Sequence, residues 1–212
     1  MRTKTAFALL LSLALLAGCS RSVLVEVPPR VDLSSHGTLG VVRFASNGGP
    51  AVEARATRDF QARIHGAQPG TRLVELGSRE SVLAAVGARD FDQAALGRIG
   101  EKYGVHAVFL GEVTYSDPKT RVKITDLTRM QGSASTMIRG DISSKLVETR
   151  SGASVWSSGA WATRQIGRVS VSPTRGVRAE ADSEDPREEM LAVMLGHLTA
   201  DFRAGTERRR VE

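Results

Sequence analysis

The sequence predicts a single α/β domain on a mixed sheet, between an amino-terminal targeting segment and a charged tail. Three observations predict it. Between residues 37 and 115, apolar runs alternate with stretches whose apolar side chains recur every three to four positions, the order of parallel strand–helix–strand units. Helical periodicity then stops until about residue 186, and turn residues separate alternating segments, as in antiparallel hairpins. A helical stripe returns between residues 185 and 202. The 212 residues, 41% of them apolar, are enough for one buried core, and a charged fraction of 25% excludes wholesale disorder. Aromatics are only 5%, so Val, Leu, Ile and Ala should fill most of that core.

Residues 1–18 read as a secretory leader. Arg2 and Lys4 form a basic head, and an apolar and small stretch follows from Ala6 to Gly18, too short to span a bilayer. Leu16-Ala17-Gly18-Cys19 has the pattern of a bacterial lipobox, with cleavage between Gly18 and Cys19. It resembles the processing site of secreted lipoproteins, which implies that Cys19 carries diacylglycerol and an acylated amino group. Each buried methylene contributes about 0.8 kcal/mol, so several acyl chains make a lasting anchor. Ser20 in place of Asp implies, by the same resemblance, the outer membrane, with the domain facing the periplasm. Cys19 is the single cysteine, so no internal disulfide can form, and cleavage lowers the formal charge from +6 to +4 by removing Arg2 and Lys4.

Residues 19–36 read as a lipidated anchor and tether stiffened by Pro28-Pro29, and residues 37–203 as the folded domain. A first strand is expected over 39–44, covered on both faces. Asn47-Gly48-Gly49-Pro50 opens a helix with Val52, Ala56, Phe60 and Ile64 on one face, and Pro69-Gly70 closes it. A second strand covers 72–76. Ser78 caps a short helix with Val82, Leu83 and Val86. Asp90 to Gln93 reads as a capping box for a helix carrying Phe91, Ala95, Ile99 and Tyr103, ended by Gly104. A third strand runs from Val105 towards Tyr115. Right-handed crossovers make these three strands parallel, in a two-layer or three-layer arrangement. A hairpin turns at Thr149-Arg150-Ser151-Gly152 and returns through Trp156 to Trp161. Residues 164–184 are polar and Arg-rich, read as a long loop or a poorly packed hairpin. Asp185-Pro186 starts the closing helix, with Leu191, Met194, Leu195, Leu198 and Phe202 buried. The tail, 204–212, is expected to fray.

The residues offer little for catalysis. There is no G-x-x-x-x-G-K loop and no G-x-S-x-G elbow. Histidines 36, 65, 106 and 197 pair in no zinc-binding spacing, so no metal or cofactor is expected. His106, inside an apolar run, is expected to be buried and satisfied. Glu188-Glu189 suit the positive end of a helix dipole without any catalytic role. Trp156 and Trp161, five apart, should face opposite sides of a regular strand, one in the core and one available to a partner. Arg164, Arg168, Arg175 and Arg178, with Arg208-Arg209-Arg210, form basic clusters. An envelope location turns these away from nucleic acid and towards anionic lipid, lipopolysaccharide or peptidoglycan. Trp156, Trp161, Arg164 and Arg168 are the candidate partner-binding residues.

Gly104-Val105-His106-Ala107-Val108-Phe109-Leu110-Gly111-Glu112-Val113 carries a family resemblance. A helix ending in glycine runs into an apolar strand that closes in Gly-Glu-Val. With the early strand and the later hairpin, this resembles the lipoproteins of curli secretion and of penicillin-binding-protein activation, whose domain is similar to the amino-terminal domain of the Tol-system propeller protein. The resemblance spans about residues 37–202, with His106 where an aspartate is expected. It implies a non-enzymatic envelope protein. The first expectation is an adaptor or activator docking on an envelope assembly, secretion or cell-wall machine. The second is a homo-oligomeric secretion pore, with 116–131 and 162–182 as the segments that would cross the membrane. Val122, Ile124, Leu127 and Met130 do not keep one parity, which weighs against the pore. A cell-wall enzyme is the third.

Overall fold

The computed structural model describes residues 22–126, 131–172, 176–181 and 185–210. Gly18 and Cys19 lie outside the described residues, as do Leu127, Met130 and Arg175. Arg30–Arg203 forms a mixed α/β domain that closes with a carboxy-terminal helix, and the two chain ends form a separate unit.

The strands of the domain are β2 (Thr38–Val42), β3 (Ala45–Ser46), β4 (Arg72–Gly77), β5 (Ala107–Tyr115), β6 (Lys119–Asp126), β7 (Gln131–Glu148), β8 (Ser154–Ser172) and β9 (Gly176–Ala181). Its helices are α1 (Pro50–Ala67), α2 (Arg79–Ala85), α3 (Gln93–Tyr103) and α4 (Pro186–Leu198). The sheet order is β4-β2-β5-β7-β8-β9, with β3 beside β5 and β6 beside β7. β2 is parallel to both β4 and β5, as the crossovers require, and the sheet becomes antiparallel from β7 onward.

Local chemistry sets the helix ends. Pro50 occupies the first turn of α1, where no backbone N–H is needed. Ser78 Oγ accepts from the Ser81 N–H at 3.2 Å, and Asp185 accepts from the Arg187 N–H at 3.0 Å. The cap of α3 is Asp92, which accepts from the Ala95 N–H at 2.7 Å, rather than Asp90 as a capping box would have it. Gly104 ends α3 with φ 66°, a left-handed conformation that glycine adopts without a Cβ penalty.

Helices α1 and α4 bury one face of the sheet, and α2 and α3 part of the other. The first layer holds the chain's aromatic cluster. Phe60 packs 5.1 Å from both Phe44 and Phe109, while Phe202 lies 4.6 Å from Trp156, and Leu39, Ile142, Leu146 and Leu195 fill in around them. The second layer is aliphatic, with Leu76, Val82, Leu96, Ile99, Val108 and Leu110. The expected two-or-three-layer choice therefore has a regional answer. The parallel end has three layers and the middle has two, and among the described residues no helix covers the far ends of β6 to β9.

Four further expectations differ from the structure. Residues 164–184, read as a loop or poorly packed hairpin, are strand wherever described: β8 runs to Ser172 and β9 follows. The tether contains β1 (Ser22–Val27) and the tail contains β10 (Gly205–Arg210), and these two pair antiparallel as a two-stranded ribbon. Phe202 belongs to a 3-10 turn after α4. His106 is exposed: the chain is entering the sheet there, its backbone bonds Thr38 and Thr149, and its ring lies over Gly37.

Candidate docking surface

The chain between β4 and β5 supplies α2 and α3, so those helices cover the sheet only near β4, β2 and β5. Along β7 the even positions point to the α4 side, where Ile138, Ile142 and Leu146 join the core. The odd positions Arg139, Asp141, Ser143 and Lys145 point to the side left open. The register sets them beside Thr163, Trp161, Gly159 and Ser157 of β8, and sets Ser143 beside Glu112 of β5.

Trp161 is the apolar centre of this open face, with 60% of its surface exposed. The Arg139 guanidinium stands 4.9 Å from its ring centroid, a cation–π arrangement. The same guanidinium donates to Asp141, Nε to Oδ2 at 2.9 Å and Nη2 to Oδ1 at 2.6 Å. Those hydrogen bonds hold the Asp141 carboxyl below its ordinary range and raise Arg139 above its own. A groove of about 410 Å3 runs beside Trp161, bordered by Glu112, Thr114, Asp141 and Ser143. A second, of about 570 Å3, continues past Lys145, Ser157 and Arg79. Two carboxylates border the first groove, but an acid held ionised by Arg139 is the opposite of a general acid poised near neutral pH. Among the described residues, no group of three or more His, Cys, Asp or Glu could hold a metal ion. The surface suits recognition: an aromatic platform, charges of both signs, and hydroxyls.

The bare sheet beyond this face is segregated by side. Val122 pairs with Ala134 and Ala134 with Val169, so these residues share the α4 side beyond the reach of α4. Val122 is 66% exposed, Ile124 63% and Val169 39%. Arg121 and Lys123 point the other way, beside Ser135 and Ser133, with Arg168 opposite Ser135 and Arg178 on the neighbouring strand. Val122 and Ile124 keep one parity across the hairpin, while Leu127, which breaks the parity of the four, lies outside the described residues.

The candidate residues do not make one site. Trp156 is buried and its Nε1 donates to Asp201 Oδ2 at 3.2 Å, whereas Trp161 is exposed on the opposite face. Arg164 is on the core side and pairs with Glu189 of α4. Arg168 is on the open side, because an extra residue, Ile166, interrupts the pairing between Gln165–Met137 and Gly167–Thr136. Sequence reasoning missed Arg139 and Asp141. Their signal was available only as charges alternating with the apolar even positions of β7.

No family model and no curated protein matches the sequence. Solved structures with a similar backbone include the PelC dodecamer from Paraburkholderia phytofirmans, at TM-score 0.43 and 11% identity, covering 87% of this chain and 99% of that one. Lipoprotein GNA1162 from Neisseria meningitidis has TM-score 0.37 and 15% identity, over 74% of this chain and 93% of that one. The LpoB C-terminal domain from Escherichia coli has TM-score 0.36 and 15% identity, over 63% and 88%.

Proposed function

We propose that the protein is a non-enzymatic, lipid-anchored adaptor or activator of the bacterial envelope, held by Cys19 at the outer membrane and docking on a protein machine in the periplasm. The observation that carries the docking role is the apolar side of the β6–β9 sheet. Val122 and Ile124 stand more than 60% exposed in a regular row, where a partner has apolar surface to bury. Burying both would contribute on the order of 2 kcal/mol or more to association. Trp161 with Arg139 supplies an aromatic anchor on the other side. The lipobox supports the anchor and the compartment.

A second reading is favoured by one specific feature. The same strands carry apolar residues on one side and Arg121, Lys123 and Arg168 on the other, as the wall of a membrane barrel does between lipid and lumen. In that reading the protein is an oligomeric pore subunit, and lipid covers Val122 and Ile124.

One comparison separates the two. The anchored protein carrying Val122→Asp and Ile124→Asp is expected to lose its partner in crosslinking from its own cells followed by mass spectrometry. The parent, purified with its lipid, is expected to form no large rings by electron microscopy and to give no conductance in planar bilayers. Rings with conductance, abolished by the two substitutions, would replace the adaptor by the pore. A crosslink pattern untouched by the substitutions would remove this face from either role.

A further inference from the structure

The β1–β10 ribbon is a poor structure to leave in water. Two strands alone are marginal, and every described position from Ser22 to Glu26 and from Gly205 to Arg209 is exposed. Val23, Leu24 and Val25 are exposed by 49%, 66% and 36%. Something must compensate for this, and the register says where to look. Val23 faces Arg209 and Leu24 faces Arg208, so the carboxy-terminal basic run is laid against the start of β1. The acidic residues lie further along the ribbon, Glu207 opposite Val25 and Glu26 opposite Thr206. The ribbon is thus basic and apolar at one end and acidic at the other.

The basic end is the one next to Cys19. Only Ser20 and Arg21 separate that cysteine from Ser22. Three extended steps reach about 10 Å, roughly one Debye length at physiological salt. A lipid on Cys19 would therefore hold Arg208 and Arg209 within electrostatic range of the headgroups. Exposed valine and leucine beside arginine is the combination that settles at a membrane interface. The Arg209–Glu207 pair at 3.4 Å is exposed and opposes this weakly.

We propose that the ribbon is a membrane-surface clamp that meets the bilayer with its Cys19 end, so that Arg208 and Arg209, on opposite faces of the ribbon, both reach anionic phospholipid headgroups of the leaflet that holds the acyl chains, and Val23 and Leu24, likewise on opposite faces, dip into the interface. The clamp rests on the reading of Cys19 as lipidated, but its chemistry can be tested without the lipid. The full mature chain, residues 19–212 with Cys19→Ser, is to be sedimented with phosphatidylcholine vesicles and with vesicles holding 30% phosphatidylglycerol. Binding is expected to the anionic vesicles only, weakening as salt is raised. Arg208→Gln with Arg209→Gln should reduce it roughly 25-fold, about fivefold for each arginine. The Lys double variant should retain it, and circular dichroism should match throughout. Absence of binding, equal binding to neutral vesicles, or no effect of the Gln substitutions would overturn the clamp. So would parent protein that self-associates without vesicles and becomes monomeric in the Gln variant, since the ribbon would then belong to a second copy. Loss of fatty-acid labelling at Cys19 in cells is a separate failure, of the anchor alone.

Discussion

The two ends of the sheet obey the same strand geometry and solve opposite problems. At the parallel end, helices cover both faces, and nearly every apolar side chain of β2 and β5 is buried. At the far ends of the antiparallel strands, beyond the reach of α4, the described apolar residues Val122, Ile124 and Val169 stand on one side and are left open. The difference teaches that exposure here is ordered. A loose end would scatter its valines. This one aligns Val122, Ala134 and Val169 in a single row and places the cations behind them.

The sharpest way to break the comparison is to damage each end and read stability and assembly separately. Phe109 packs against Phe60 at 5.1 Å, Trp156 at 5.9 Å and Phe202 at 6.0 Å, so Phe109→Ala should remove about 4 kcal/mol, measured by urea unfolding. The paired substitution Val122→Asp and Ile124→Asp should change unfolding by less than about 1 kcal/mol while abolishing assembly. A loss comparable to that of Phe109→Ala would mean that the extension is core after all. The smallest effect concerns the open face. Arg139 lowers the Asp141 carboxyl, so the pair contributes stability above the unfolded-state value of roughly 4 and loses it as pH falls through the lower folded value. Both side chains are about half exposed, so solvent screening keeps the contribution small. Between pH 7 and pH 2, the parent should therefore lose slightly more stability than Asp141→Asn. Equal losses would leave the Arg139–Asp141 pair without energetic weight.

The parallel end was legible because its signals are local. Val52, Ala56, Phe60 and Ile64 announce a helix face within one window, and Ser78 and Gly104 mark ends by their own chemistry. The extension was not, because its apolar side is assembled from small residues of different strands. Ala134 says nothing until the register sets it between Val122 and Val169. The ribbon hid for a related reason: Thr206-Glu207-Arg208-Arg209 has little strand preference, and its partner lies at the far end of the chain. Tryptophan parity placed Trp156 and Trp161 on opposite faces, as the structure has them. The same counting fails for Arg164 and Arg168, since Ile166 lies between them. His106 misled because the apolar run begins at Val105, two residues before β5 begins at Ala107.

Ile166 acts on β8 as an inserted letter acts on a reading frame. Upstream of it, even positions spell the core side; downstream, odd positions do. The Gly-Arg-Val sequence at 167–169 is meaningful only in the second frame, where valine joins the apolar row and arginine the basic one. Were Ile166 to pair with Thr136 as a regular strand residue, every strand-forming side chain after it would exchange the face on which it stands, whereas deleting Ile166 would join Gln165 to Gly167 in ordinary alternation and keep those faces. The segregation of the extension therefore depends on Ile166 staying out of the pairing as much as on the residues it sorts.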